Sequence, residues 1–317
     1  MTGAETSRRT DTARLGAGLL LACLMLGSGN AAAGSCPGEG IAVQVLGSGG
    51  PIADDARAST AYMVWIDGES RVLIDAGSGA FLRFGEIGAD FGQLDFIGLS
   101  HFHTDHSADF PALLKSGFFS DRSMPLRVAG PSGSDRFPGL DGFLQGLLSA
   151  ETGAYRYLSG YLDGSGGLPA LETVVVPRES DTTRVFDSED GLVIDAMHVP
   201  HGIVPALAFR VRAGETSIVF AGDQNGSKAA FVDFAREADL LVMHMAIPEG
   251  IGGAASRLHA TPGEIGRVAA RAGARKLVLS HFMARSLRDL DGNIDRVRQH
   301  YDGPVIAADD LDCFSLP

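Results

Sequence analysis

The segment His101-Phe102-His103-Thr104-Asp105-His106 packs four potential metal ligands into six residues. Imidazole nitrogens and a carboxylate suit a borderline cation such as Zn²⁺, and no soft sulfur donor is among them. Side chains this dense converge on one point only if the loop wraps around something, and a metal supplies it. Three further groups stand where apolar stretches give way to loops: His201 after 192–196, Asp223 after 217–220 and His281 after 276–279. His101, His103, Asp105, His106, His201, Asp223 and His281 make seven ligands. That is too many for one tetrahedral zinc and right for two ions that share a carboxylate and a water. His198, three residues before His201 in an extended stretch, is expected to face elsewhere. His244, at a strand end, is not counted as a ligand but could support one from behind, and His300 is read as surface.

The elements that must position these residues follow from hydrophobic period and turn residues. Strands are expected at 41–46, 61–66 and 71–74, the last two joined at Asp67-Gly68 as a hairpin. A short apolar strand at 96–100 delivers the chain into the histidine cluster, and 105–119 suits a helix kinked or divided at Pro111. A helical insertion near the site mouth is expected at about 135–170. Strands at 171–176, 192–196, 205–211, 217–220, 240–243 and 276–279 alternate thereafter with helices at 228–236 and 262–272. The last helix opens on Thr261-Pro262-Gly263-Glu264, which reads as a capping box with proline in the first turn. The pattern is α/β in two similar halves, with two packed sheets and helices outside.

At this point the mature chain resembles the metallo-β-lactamase superfamily, and within it the tRNase Z and arylsulfatase branch. Leu46-Gly47-Ser48-Gly49-Gly50, Leu73-Ile74-Asp75-Ala76-Gly77, His259-Ala260-Thr261 and Leu279-Ser280-His281-Phe282 carry that likeness beside the histidine cluster. The resemblance implies a four-layer αβ/βα sandwich. It implies one zinc on His101, His103 and His201, a second on Asp105, His106 and His281, and Asp223 bridging both. Asp75 would orient the ligand loop. Asp105 and His259 would be the catalytic side chains, His259 giving a proton to the leaving group; His259 is equally well placed as a mere neighbour of the helix cap. The implied nucleophile is a metal-bridging hydroxide.

Length and composition set the remaining bounds. The chain has 317 residues, 45% hydrophobic and 21% charged, as an ordinary globular protein does. Residues 1–33 follow the grammar of an export signal: Arg8, Arg9 and Arg14, then an apolar run at 15–26 too short to span a bilayer, then Ala31-Ala32-Ala33. The expected location is therefore periplasmic or secreted, with no stable membrane span after cleavage and residues 34–317 as the hydrolase domain. Cys36 and Cys313 sit at the two ends of that domain, where an oxidising compartment would let them pair.

The net charge of −13 repels polyanions at long range, and the arginines of 135–200 (Arg136, Arg156, Arg178, Arg184) are outnumbered by acids. A nucleic-acid partner is accordingly not expected. The expected substrate is a small phosphodiester or a related sulfate or carboxylic ester, with a homodimer open. The resemblance implies that a bridging carboxylate is usual in phosphodiesterases, sulfatases and lactonases and typically lacking in true β-lactamases, so β-lactam hydrolysis drops below ester hydrolysis; β-lactamase or lactonase activity is the second expectation and a non-catalytic metal-binding protein the third. His103, where a di-iron relative would carry Glu, argues for zinc. Phe118, Phe119, Phe143, Tyr155 and Tyr157 are read as core before pocket.

Overall fold

A computed structural model of the chain describes residues 36 and 38–317. The expected signal at 1–33 lies outside them. Period-2 apolar patterning produces two seven-stranded sheets. The first takes β1 (Ile41–Gly47), β2 (Ala61–Ile66), β3 (Glu69–Ile74), β4 (Phe96–Gly98), β5 (Leu126–Pro131) and β6 (Leu171–Val176). The second takes β7 (Thr183–Asp187), β8 (Leu192–His201), β9 (Val204–Ala213), β10 (Thr216–Phe220), β11 (Leu240–His244), β12 (Leu277–Ser280) and β13 (Val305–Ala307). The chain then returns to the first sheet as β14 (Cys313–Leu316) beside β1.

The two halves share one plan. Strand orders are β14-β1-β2-β3-β4-β5-β6 and β13-β12-β11-β10-β9-β8-β7. In the first sheet, antiparallel pairing up to β3 gives way to parallel pairing from β3 to β6. In the second it does so at β10, with β10 to β13 parallel.

Alternate residues of each sheet face different cores. Val43, Val45, Val64, Phe96, Ile194, Phe209, Ile218 and Val278 are buried between the sheets. The outer face of the first sheet packs on α1 (Ala80–Glu86), α3 (Phe110–Gly117) and α4 (Leu140–Leu148) through Phe84, Phe110, Leu113, Leu140, Leu144 and Leu148; the short α2 (Thr104–Ser107) precedes α3. The second sheet is covered by α5 (Ala229–Phe234), α7 (Pro262–Ala272) and α9 (Leu290–Arg298) through Phe231, Phe234, Ile265, Val268 and Val297. Two short helices, α6 (Ala254–Leu258) and α8 (Ala284–Leu287), edge the site. This is the four-layer αβ/βα sandwich.

Several local expectations are corrected. β8 runs on to His201 rather than stopping at 196, so His198 is inside the strand, its Nε2–H donating to the Val176 carbonyl at 3.0 Å. The helix expected at 105–119 is two helices, and Pro111 occupies the first turn of the second, where its missing N–H costs nothing. The Thr261 capping box does not form. Glu249 accepts from the Gly263 N–H at 2.7 Å instead, and Glu264 turns to Arg267. Phe118, Phe119, Tyr155 and Tyr157 are neither core nor cleft: all four are exposed, and Lys115 Nζ sits over the rings of Phe118, Phe119 and Tyr157. Cys36 and Cys313 are joined by a disulfide, with Cα atoms 5.6 Å apart.

Candidate metal centre

The parallel strands of both sheets end on one side, and the residues just past those ends converge there. β3 leads into Asp75, β4 into Ser100 and His101, β10 into Asp223 and β12 into His281; His201 comes from the β8–β9 hairpin. Asp75 and His281 hold φ values of 61° and 57°, left-handed positions that non-glycine residues take only when their surroundings enforce them. Two glycines permit close approach. A Cβ on Gly77 would lie 2.2 Å from the Asp105 carbonyl oxygen, and Gly222 (φ 61°) runs as close to that of Leu207 while setting Asp223.

All seven expected ligands come together. His101 Nε2 lies 2.9 Å from His103 Nδ1, and His201 completes a triad with them. His281 Nε2 lies 3.2 Å from His106 Nε2 and 3.3 Å from Asp105 Oδ2, a second triad. Asp223 sits between the two: its Oδ2 is 4.0 Å from His101 Nε2, 3.5 Å from His201 Nε2 and 3.7 Å from His106 Nε2, and its Oδ1 is 3.2 Å from His281 Nε2.

The hydrogen bonds behind the rings decide what they present. His101 Nδ1–H can donate to Ser100 Oγ at 3.1 Å, His106 Nδ1–H to Asp75 at 2.8 Å and His201 Nδ1–H to the Leu258 carbonyl at 2.9 Å. Each leaves Nε2 as a bare lone pair aimed into the cluster, the arrangement metal-ligating histidines use. His201 Nε2 is buried and without a partner. Lone pairs and carboxylates crowded to about 3 Å repel one another unless a cation lies among them, so the donor set fits a divalent metal.

Electrostatics agree. Burial holds His101 well below the usual histidine range and lowers His103, which keeps their lone pairs free. Burial would raise Asp223, yet His281, His259 and His106 outweigh it and hold the carboxylate ionised. Burial alone would lower His106, but Asp75, Asp223 and Asp105 raise it well above the ordinary value, so a metal binding there displaces a proton from Nε2.

His259 stands at the edge of the same cleft, Nδ1 3.8 Å from Asp223 Oδ2 and otherwise unpartnered; burial draws it down to about 3. His244, expected from its place at a strand end to stand behind the ligands, donates from Nδ1 to Asp223 Oδ1 at 2.7 Å. Tyr62 was missed altogether: its hydroxyl is 3.2 Å from His244 Nε2 and 2.9 Å from Ser280 Oγ, so a line of buried groups backs Asp223. The cleft has a volume of about 520 Å³ and is walled in part by Phe102, Leu258, Met283 and Arg285. Phe143 of the insertion stacks on Phe102 at 4.4 Å.

Comparison with known proteins gives the family. A profile of the metallo-beta-lactamase superfamily matches residues 54–257. A ribonuclease Z of Haloferax volcanii is 29% identical over 86% of this chain and 94% of its own length. One of Mycobacterium avium is 30% identical over 77% of this chain and 86% of its own. Among solved structures, the metallo-beta-lactamase fold protein YhfI of Bacillus subtilis superposes with a TM-score of 0.68 at 22% identity, covering 87% of this chain and all of that one. The short form of human tRNase Z gives 0.66 at 22% identity, over 87% and 99%.

These relatives overturn one expectation. Ribonucleases act on RNA, so the exclusion of a nucleic-acid partner, and the restriction to small molecules that went with it, do not stand. The physical error was to let a whole-chain charge of −13 speak for one surface; local potential is set by nearby groups within a Debye length of about 8 Å. The disposition of strands, the two converging ligand triads and the matched profile together make this chain a member of the metallo-beta-lactamase superfamily, a metal-dependent hydrolase.

Proposed function

We propose that the chain hydrolyses phosphodiester bonds of RNA with two zinc ions, one held by His101, His103 and His201, the other by Asp105, His106 and His281, with Asp223 shared. The observation that carries the reading is the position of Asp223, within 4.0 Å of histidine nitrogens from both triads. Bound there, such a pair would supply Lewis acidity, activating water and offsetting the negative charge that builds on the oxygens of the attacked phosphate. The protein's part is orientation. Asp75, Ser100 and Leu258 hold the imidazole rings, His244 and Tyr62 hold the shared carboxylate, and His259 is placed to give a proton to the departing oxygen once the anionic phosphate beside it raises it from the low value that burial imposes. Arg285, which lines the cleft and among the described residues pairs with no carboxylate, favours an anionic substrate. The ribonuclease Z relatives favour RNA as its source.

The disulfide supports working in an oxidising compartment, as the N-terminal segment also suggests. Mass spectrometry of the mature N-terminus in expressing cells checks this; an intact Met1 in the functional protein refutes it. The zinc-loaded protein should be assayed on an RNA oligonucleotide, bis(p-nitrophenyl) phosphate, a lactone and nitrocefin. Cleavage of the first two is expected. Activity confined to the lactone or nitrocefin would sink the proposal.

A further inference from the structure

Beside the metal centre lies a second, smaller cavity of about 310 Å³. The two share His201 in their walls, so the cavity continues the cleft on the side of the β8–β9 hairpin. Its walls hold Arg178, Lys228 and His198 and no acidic residue, in a chain whose net charge is −13. Arg178 is exposed and, among the described residues, makes no ion pair. Lys228 Nζ donates one hydrogen bond, to the His198 carbonyl at 2.8 Å, which anchors it and leaves two of its three N–H bonds free. Both cations line this cavity beside His198, whose Nε2–H donates to the Val176 carbonyl, so they face a common space. Two cations facing one cavity whose walls hold no carboxylate give that cavity a positive local potential in an otherwise acidic protein, which favours an anion there.

We infer that Arg178 and Lys228 form a phosphate-binding subsite for the sugar-phosphate backbone of a single RNA strand, gripping a phosphate next to the one at the metals. The inference rests on the RNA-hydrolase reading and deepens it by giving the strand a direction, out of the cleft past His201. It needs no base contact, so it supplies affinity and register without sequence preference.

The test is equilibrium binding of the zinc-loaded full chain to a short fluorescent single-stranded RNA with a phosphorothioate backbone, which keeps its charge and resists cleavage, over a series of salt concentrations. Each phosphate contact contributes about 0.7 to the salt slope for single strands. The pair Arg178→Ala with Lys228→Met is therefore expected to flatten the slope by about 1.4 and to weaken binding roughly tenfold at about 50 mM salt. By about 200 mM the gap from wild type should shrink about sevenfold. Lys228→Arg should restore its share, and Arg296→Ala, an exposed cation on α9, should bind as wild type. Thermal melts of each variant identify loss of fold. Wild-type affinity and slope in the double variant, with RNA bound normally, overturn the subsite and leave the hydrolase reading in place. A wild type that neither binds nor cleaves RNA overturns both.

Discussion

Asp75→Asn changes one atom of a buried side chain and should disable a metal position without emptying space. Asp75 accepts three hydrogen bonds, from Ser100 N–H at 2.6 Å, Ser100 Oγ at 2.8 Å and His106 Nδ1–H at 2.8 Å. An amide can accept on only one of its two ends. With its oxygen toward the Ser100 N–H, its NH₂ meets the His106 Nδ1–H and drives that ring to the other tautomer, with the proton on Nε2. That is the nitrogen aimed at Asp105 and His281, and once protonated it cannot ligate. With the amide turned the other way, the NH₂ meets the Ser100 backbone N–H and displaces the loop carrying His101. Loss of such a supporting partner typically weakens metal binding 10- to 100-fold, about 1.4–2.8 kcal/mol. Competition against a chelating dye, with elemental analysis after dialysis, reads the change, and circular dichroism separates it from unfolding. If Asp75→Asn retains wild-type metal content and affinity, the argument that this carboxylate sets the His106 tautomer is refuted.

Three further outcomes are expected. His259→Ala should lower kcat about 10²- to 10⁴-fold on RNA, whose leaving oxygen needs a proton, and far less on bis(p-nitrophenyl) phosphate, whose leaving group does not; equal losses on both would contradict the role. Asp195 is held below its ordinary value because Arg184 and Arg210 outweigh the opposing effect of burial, and Arg212 also pairs with it. Its stabilisation is complete above the unfolded carboxylate value of about 3.9 and is lost as pH falls through the lower folded value. Asp195→Asn should thus cost about 1–3 kcal/mol at pH 7 and progressively less in acid, measured by urea unfolding across pH; a penalty independent of pH would exclude the ion pairs as its source. Cys36→Ser should lower stability by up to about 5 kcal/mol, because a crosslink spanning 277 residues restricts the unfolded chain; two free thiols in the denatured, unreduced wild type would show that the bridge does not form.

The ligand set was legible because its densest part is contiguous and the rest sit at strand ends, where apolar runs stop abruptly. The outer supports were harder to read. His244 and Tyr62 lie in strands of different sheets, 182 residues apart, and nothing local marks them as neighbours. The extent of β8 was underread because Pro200 and two histidines look like loop, although pairing with β9 continues residue by residue to His201 opposite Val204 and carries His201 to the hairpin tip. Thr261 matched a capping pattern, but Glu249, twelve residues earlier, reaches that helix start and displaces the local bond. Phe118, Phe119 and Tyr157 were misplaced because aromatic type alone does not distinguish burial from gathering at the surface around the ammonium of half-buried Lys115.

The account stands most directly on metal content. Mass-spectrometric elemental analysis of protein purified without chelator, matched to its concentration by amino-acid analysis, should give two equivalents of zinc for wild type. Asp223→Ala should bind both more weakly, because its carboxylate lies against both triads. A single equivalent in wild type, or two undiminished equivalents in Asp223→Ala, would contradict it.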